Sequence, residues 1–180
     1  MKLNRKGYML VEIIISFTLA MSIAYYLLNL TYKFKNMDED IYMSTIFIKD
    51  KILVTKNIMN DIDRGTVSDI PASVDENTSS ITFNLHLNNA PSDSSPEKRR
   101  ISISEDGKTI TYGIPDGDTG WKQDDISYYT KTIDDALIIK GFEIKSSQYG
   151  NYFSIIIKIS SLYNEDEYDI KLFGQQFSNS

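Results

Sequence analysis

Between Tyr8 and Leu28 the chain runs for 21 residues with a single charge, Glu12, and with neither proline nor glycine. A helix needs about 20 apolar residues to cross the roughly 30 Å hydrocarbon core of a bilayer, so this run predicts a transmembrane helix. Lys2, Arg5 and Lys6 stand just before it. Lys33 and Lys35 follow it at a distance, and then Asp38, Glu39 and Asp40. The denser positive charge lies on the leading flank, which places the N-terminus in the cytoplasm and the rest of the chain outside. A cleaved secretory signal is a poorer description, because the run is too long and no small-residue cleavage site closes it.

Composition removes several function classes. The 180 residues contain no cysteine and one histidine, with a net charge of −6. Disulfide scaffolds, zinc fingers, iron–sulfur centres and cysteine enzymes are excluded for want of ligands or nucleophile. An acidic chain, of pI about 4.8, also lacks the clustered lysine and arginine needed for a general grip on nucleic acid.

The apolar run does not end at Leu28. Ile41, Thr45, Ile48, Ile52, Thr55, Met59 and Ile62 recur at alternating spacings of four and three, a stripe along one helical face. Ile46, Phe47, Leu53 and Val54 widen it, while Lys49, Asp50, Lys56, Asn57 and Asp63 fall away from it. No proline or glycine occurs from Tyr8 to Arg64, and Gly65 suits the left-handed residue just past a helix end. The expectation is one helix of about 55 residues, ~80–85 Å long. Its first half sits in lipid and its second half forms a wall of an extracytoplasmic domain.

After Gly65 the period changes from helix to strand. Residues 66–80 read as a polar linker. Ile81 to Leu87 alternates strictly, as a half-buried strand does. Ile101 and Ile103, then Ile110, Tyr112 and Ile114, alternate on either side of Asp106-Gly107, a strong hairpin signal. Residues 115–125 read as a loop and Ile126–Thr130 as a short strand. Leu137–Lys145 and Tyr152–Leu162 form a second hairpin around Ser147–Asn151, and Tyr168–Phe173 is a last strand. The fold class expected is α+β: a long N-terminal helix packed on an antiparallel sheet of six or seven strands.

The segment Arg5-Lys6-Gly7-Tyr8-Met9-Leu10-Val11-Glu12 resembles the leader junction of type IV pilins and pseudopilins. The resemblance implies a basic leader, residues 1–7, cut by prepilin peptidase between Gly7 and Tyr8. Tyr8 then becomes the N-methylated first residue, and Glu12 stands fifth in the mature chain. It further implies a membrane and filament-core helix over 8–33, its extracytoplasmic half over 34–64, and a β-rich head over 65–180. In that family the acid pairs with the N-terminal amine of a neighbouring subunit. The physical cost agrees: a charged side chain in an apolar span costs up to about 2.5–3.5 kcal/mol at the midplane and so asks for a partner. The implied function is that of a structural subunit, with prepilin peptidase, other pilin-like subunits and membrane lipid as its partners. The filament would serve adhesion or motility, DNA uptake, or secretion. The span lacks the Pro and upstream Gly common in major pilins, and the chain lacks their cysteines, which favours a minor pilin or pseudopilin. The alternative is an uncleaved, membrane-anchored extracytoplasmic binding module.

The remaining motifs are weaker. Asp116-Gly117-Asp118-Thr119-Gly120 has part of a calcium loop but lacks its closing glutamate. Lys98-Arg99-Arg100 is the one basic triplet and reads as a solvated loop edge before it reads as a DNA contact. His86 sits on the polar side of an alternating strand, and Trp121 covers a core edge. No constellation for nucleophilic, phosphoryl or carboxylate-pair catalysis is present, so the chain reads as a non-enzyme with no cofactor.

Overall fold

The computed structural model describes residues 5–75, 78–91, 94–146, 151–163 and 166–176. Helix α1 (Arg5–Ile62) is continuous over 58 residues. The chain forms two compact units, residues 1–44 and 45–180. The described part of the first is helical throughout. From Tyr8 to Leu28 all its side chains are exposed, in a helix long and apolar enough to cross a membrane. Thr18, Ser22 and Thr31 donate their hydroxyls to the carbonyls of Ile14, Thr18 and Leu27, four residues back. Those hydroxyls are thereby satisfied within the helix.

The second unit packs the end of the helix, Thr45–Ile62, against antiparallel sheets, an α+β architecture. Strands β1 (Gly65–Ser68), β2 (Ser80–Leu87), β3 (Glu97–Ile103), β4 (Thr109–Gly113) and β7 (Tyr129–Thr132) form a five-stranded sheet in the order β1-β2-β3-β4-β7. Strands β8 (Leu137–Ser146), β9 (Tyr152–Ser161) and β10 (Glu167–Gln175) form a second sheet, in the order β10-β9-β8. A parallel bridge from Val67 to Gln176 ties the edge of the first sheet to the end of the second. A two-stranded ribbon, β5 (Pro115–Asp116) with β6 (Gly120–Trp121), lies within the segment read from sequence as a plain loop.

Alternation appears where the sequence places it. Ile81, Phe83 and Leu85 of β2 are buried, with Thr82 and Asn84 less so. Asp106-Gly107 turns the β3–β4 hairpin, and Gly107 takes the left-handed φ of 67°. The β8–β9 hairpin also forms, in a register broken by a bulge between Ile139 and Gly141. Most of its turn, residues 147–150, lies outside the described residues, as do residues 1–4 of the leader.

Four readings are corrected. Ile126 is in no strand; β7 begins at Tyr129. The linker from residue 66 is a strand at its start, and Gly65 belongs to β1 rather than to a left-handed helix cap. Gly65 is needed for close approach instead: a Cβ there would lie 2.1 Å from the carbonyl oxygen of His86 in β2. The basic triplet is no loop edge, because Arg99 and Arg100 are buried in β3. Lastly, the helix turns a different face to the sheets. The buried row is Phe47, Asp50, Val54, Ile58, Asp61 and Ile62, whereas Ile41, Ile48 and Ile52 stay exposed. Asp50 was expected to point away. It points in because the sheets supply its partners.

Candidate processing and assembly site

The residues that carry the family resemblance all lie in the first two turns and a half of α1. Gly7 is within the helical backbone, one residue before the exposed Tyr8. Glu12 is exposed and follows Tyr8 by four residues, so the two side chains share one face of the helix. The helix dipole puts partial positive charge at its start, where acids are favoured and bases are not. This first turn has no acid and carries Arg5 and Lys6. Cleaving after Gly7 would remove both bases and leave an ammonium near Glu12.

The helix is joined to the sheets through two buried acids. Asp61 accepts from Arg99 Nε at 2.6 Å and from the Tyr112 hydroxyl at 2.8 Å. Arg64, one turn on, reaches the other Asp61 oxygen at 3.2 Å. Arg99 also donates to Glu97 at 2.8 Å. Asp50 accepts from Lys131 Nζ at 3.0 Å and from the backbone N–H of Asp134 at 3.0 Å. Burial works against the charged form of Arg99, but the bonds and charge of Asp61 and the bond to Glu97 outweigh it and raise the pKa. Burial, then the negative charge of Asp61, raises the pKa of Tyr112, which keeps its hydroxyl a donor.

Spacing could have revealed these groups. Asp50 and Asp61 are eleven residues apart, three helical turns, and so share a face. Arg99 has the strand parity of Ile101 and Ile103, which places it on the inner side of β3.

The other motifs have structural employment. Arg100 donates to the carbonyls of Gly117, Asp118 and Gly120 and lies over the Trp121 ring at 4.3 Å. A guanidinium therefore takes up the carbonyls that a calcium loop would offer to an ion. His86 Nε2 is 2.9 Å from the Ser68 hydroxyl. Among the described residues, no three His, Cys, Asp or Glu side chains are grouped to hold a metal ion.

No protein-family model, no curated protein and no solved structure matches this chain. The functional reading therefore rests on its own residues and geometry.

Proposed function

We propose that the chain is a structural subunit, a minor pilin or pseudopilin, of a type IV filament-like machine. It is inserted with its N-terminus in the cytoplasm and the unit 45–180 outside, cut by prepilin peptidase between Gly7 and Tyr8, and assembled through its N-terminal helix. One observation carries this reading: a single acid, Glu12, stands four residues after Tyr8 on the exposed face of an apolar helix with no break. A plain anchor needs neither a glycine before its span nor an acid within it. The free amine made by cleavage at Tyr8 would supply the charge that Glu12 lacks in lipid, so processing and assembly would be coupled.

Glu12 substitutions test the assignment. Glu12→Val makes the span more apolar and should preserve insertion while blocking entry into filaments. Glu12→Gln keeps the shape and a hydrogen bond without the charge. A charge-assisted bond is about twice as strong as a neutral one, so Gln should be incorporated partially. The measurement compares the sheared filament fraction with the membrane fraction. Equal incorporation of wild type, Gln and Val would overturn the role of Glu12 and favour the uncleaved anchored module.

A further inference from the structure

The only tryptophan of the chain lines a cleft. Trp121 ends the β5–β6 ribbon, paired with Pro115, and is half-buried. With Asp116, Lys122, Gln123, Asp124 and Asp125 it lines a cleft of about 540 Å³. That volume falls within the range of about 300–1,000 Å³ typical of small-molecule sites. All six residues belong to the unit 45–180.

The walls of the cleft are held in place. The Arg100 guanidinium lies over one face of the indole, 4.3 Å from the ring centre, and the Tyr128 ring stands 6.3 Å away, tilted by 59°. Arg100 is itself fixed by the carbonyls of Gly117, Asp118 and Gly120. The rest of the wall is a hydrogen-bonded turn. The N–H of Lys122 donates to the Ile114 carbonyl at 3.0 Å, that of Asp125 to the Lys122 carbonyl at 3.3 Å, and that of Tyr128 to the Asp125 carbonyl at 3.0 Å. Asp125 accepts both the N–H and the hydroxyl of Ser127 on Oδ1. Burial opposes the charged form of Asp125, but the Ser127 bonds outweigh it and hold the carboxyl below the usual carboxylate range. Walls ordered before binding spare a ligand the cost of ordering them.

The lining selects a ligand class. Three carboxylates and one ammonium give it a net charge of −2, which opposes an anion. Among the described residues no three acids or histidines are grouped to hold a metal ion. An organic cation would seek the face of the indole, but Arg100 already lies on one face and would repel a second positive charge across the ring. A sugar hydroxyl both donates and accepts. It can donate to the carboxylates in charge-assisted bonds and accept from Lys122 and the Gln123 amide. The C–H face of a pyranose ring needs an apolar plate, and the indole supplies one.

We infer that this cleft binds a neutral saccharide, with a pyranose ring against Trp121 and its hydroxyls on Gln123 and Asp124. The site uses the unit 45–180 alone, so the inference depends neither on Glu12 nor on cleavage after Gly7.

The single tryptophan reports on its own site. Full-length protein in a polyoxyethylene detergent, which carries no sugar, is titrated with cellobiose, lactose and N,N′-diacetylchitobiose while indole emission is followed. At least one of the three should give a saturable shift, with a dissociation constant of about 1 mM or below. Gln123 and Asp124 are exposed, so Gln123→Ala and Asp124→Asn should leave the unfolding transition in place. Each should weaken binding about tenfold, as the loss of one hydrogen bond does. Ile126 is outside the cleft lining, and Ile126→Ser should bind as wild type does. No saturable shift with any of the three sugars would overturn the inference. A stronger response to digalacturonate or to choline would overturn the ligand class, and a sugar response that survives both cleft substitutions would overturn the location.

Discussion

Arg99 and Arg100 are neighbours in β3 and serve opposite faces of the same sheet. Arg99 reaches inward to Asp61 of the helix at 2.6 Å, and Arg100 reaches outward to the 117–120 turn and the face of Trp121. One strand thus ties the helix to one side of the sheet and the β5–β6 ribbon to the other. Strand alternation gives two successive side chains no other choice.

The inner tie makes a stability prediction. Asp61→Ala leaves Arg99 buried without its main partner, and breaking a buried pair in this way costs about 3–5 kcal/mol. Replacing both partners, as Asp61→Leu with Arg99→Met, removes the stranded charge and should recover most of that loss. Urea unfolding of residues 45–180 measures both. A double variant no more stable than Asp61→Ala would show that the pair is not the source of the cost.

Alkaline pH tests Tyr112. Its folded pKa is raised above the ordinary value of 10.0 by burial and by the Asp61 charge. The folded state therefore holds a proton that the unfolded state releases. The associated stability is fully present below about pH 10 and is lost as pH rises through the folded value. Tyr112→Phe should lower stability at neutral pH, by about 1.5–3 kcal/mol for a bond to a charged group. It should also flatten the decline above pH 10. An unchanged slope in the variant would assign the alkaline loss to another group.

The two units predict where the chain can be divided. A chain starting at Thr45 keeps Phe47, Val54, Ile58 and Ile62 on the sheets, and should be soluble and unfold cooperatively. One starting at Gly65 loses that wall and exposes Ile81, Phe83 and Leu85. Calorimetry distinguishes them. A monomeric, cooperatively folding chain from Gly65 would contradict the helix-on-sheet core.

The proposed processing would have a mass signature. Residues 1–7 contain Lys2, Arg5 and Lys6 and no acid, so their removal takes the net side-chain charge from −6 to −9. Co-expression with a prepilin peptidase should give a chain beginning at Tyr8, and Gly7→Ala should be cut slowly, because a Cβ obstructs close approach to the backbone. An uncut chain beside an active peptidase would exclude this junction as a substrate.

The sequence by itself determined what depends on neighbours in the chain. The apolar span is legible because hydropathy is a sum over local residues. The β2 strand is legible because alternation is local, and the β3–β4 hairpin because Asp106-Gly107 needs only its own backbone. The tertiary structure alone decided which face of α1 is covered. The helix has two apolar rows, and the one with the more regular spacing, through Ile41, Ile48 and Ile52, is left exposed. The sheets took the row containing Asp50 and Asp61, against the hydropathy of those two residues. Burying an acid is costly only when it is unpaired, and its partners lie far along the chain: Arg99 is 38 residues from Asp61, Tyr112 is 51, and the Asp134 amide is 84 from Asp50. A periodicity counts apolar residues within a few turns, so it cannot register a partner that only the folded chain brings near.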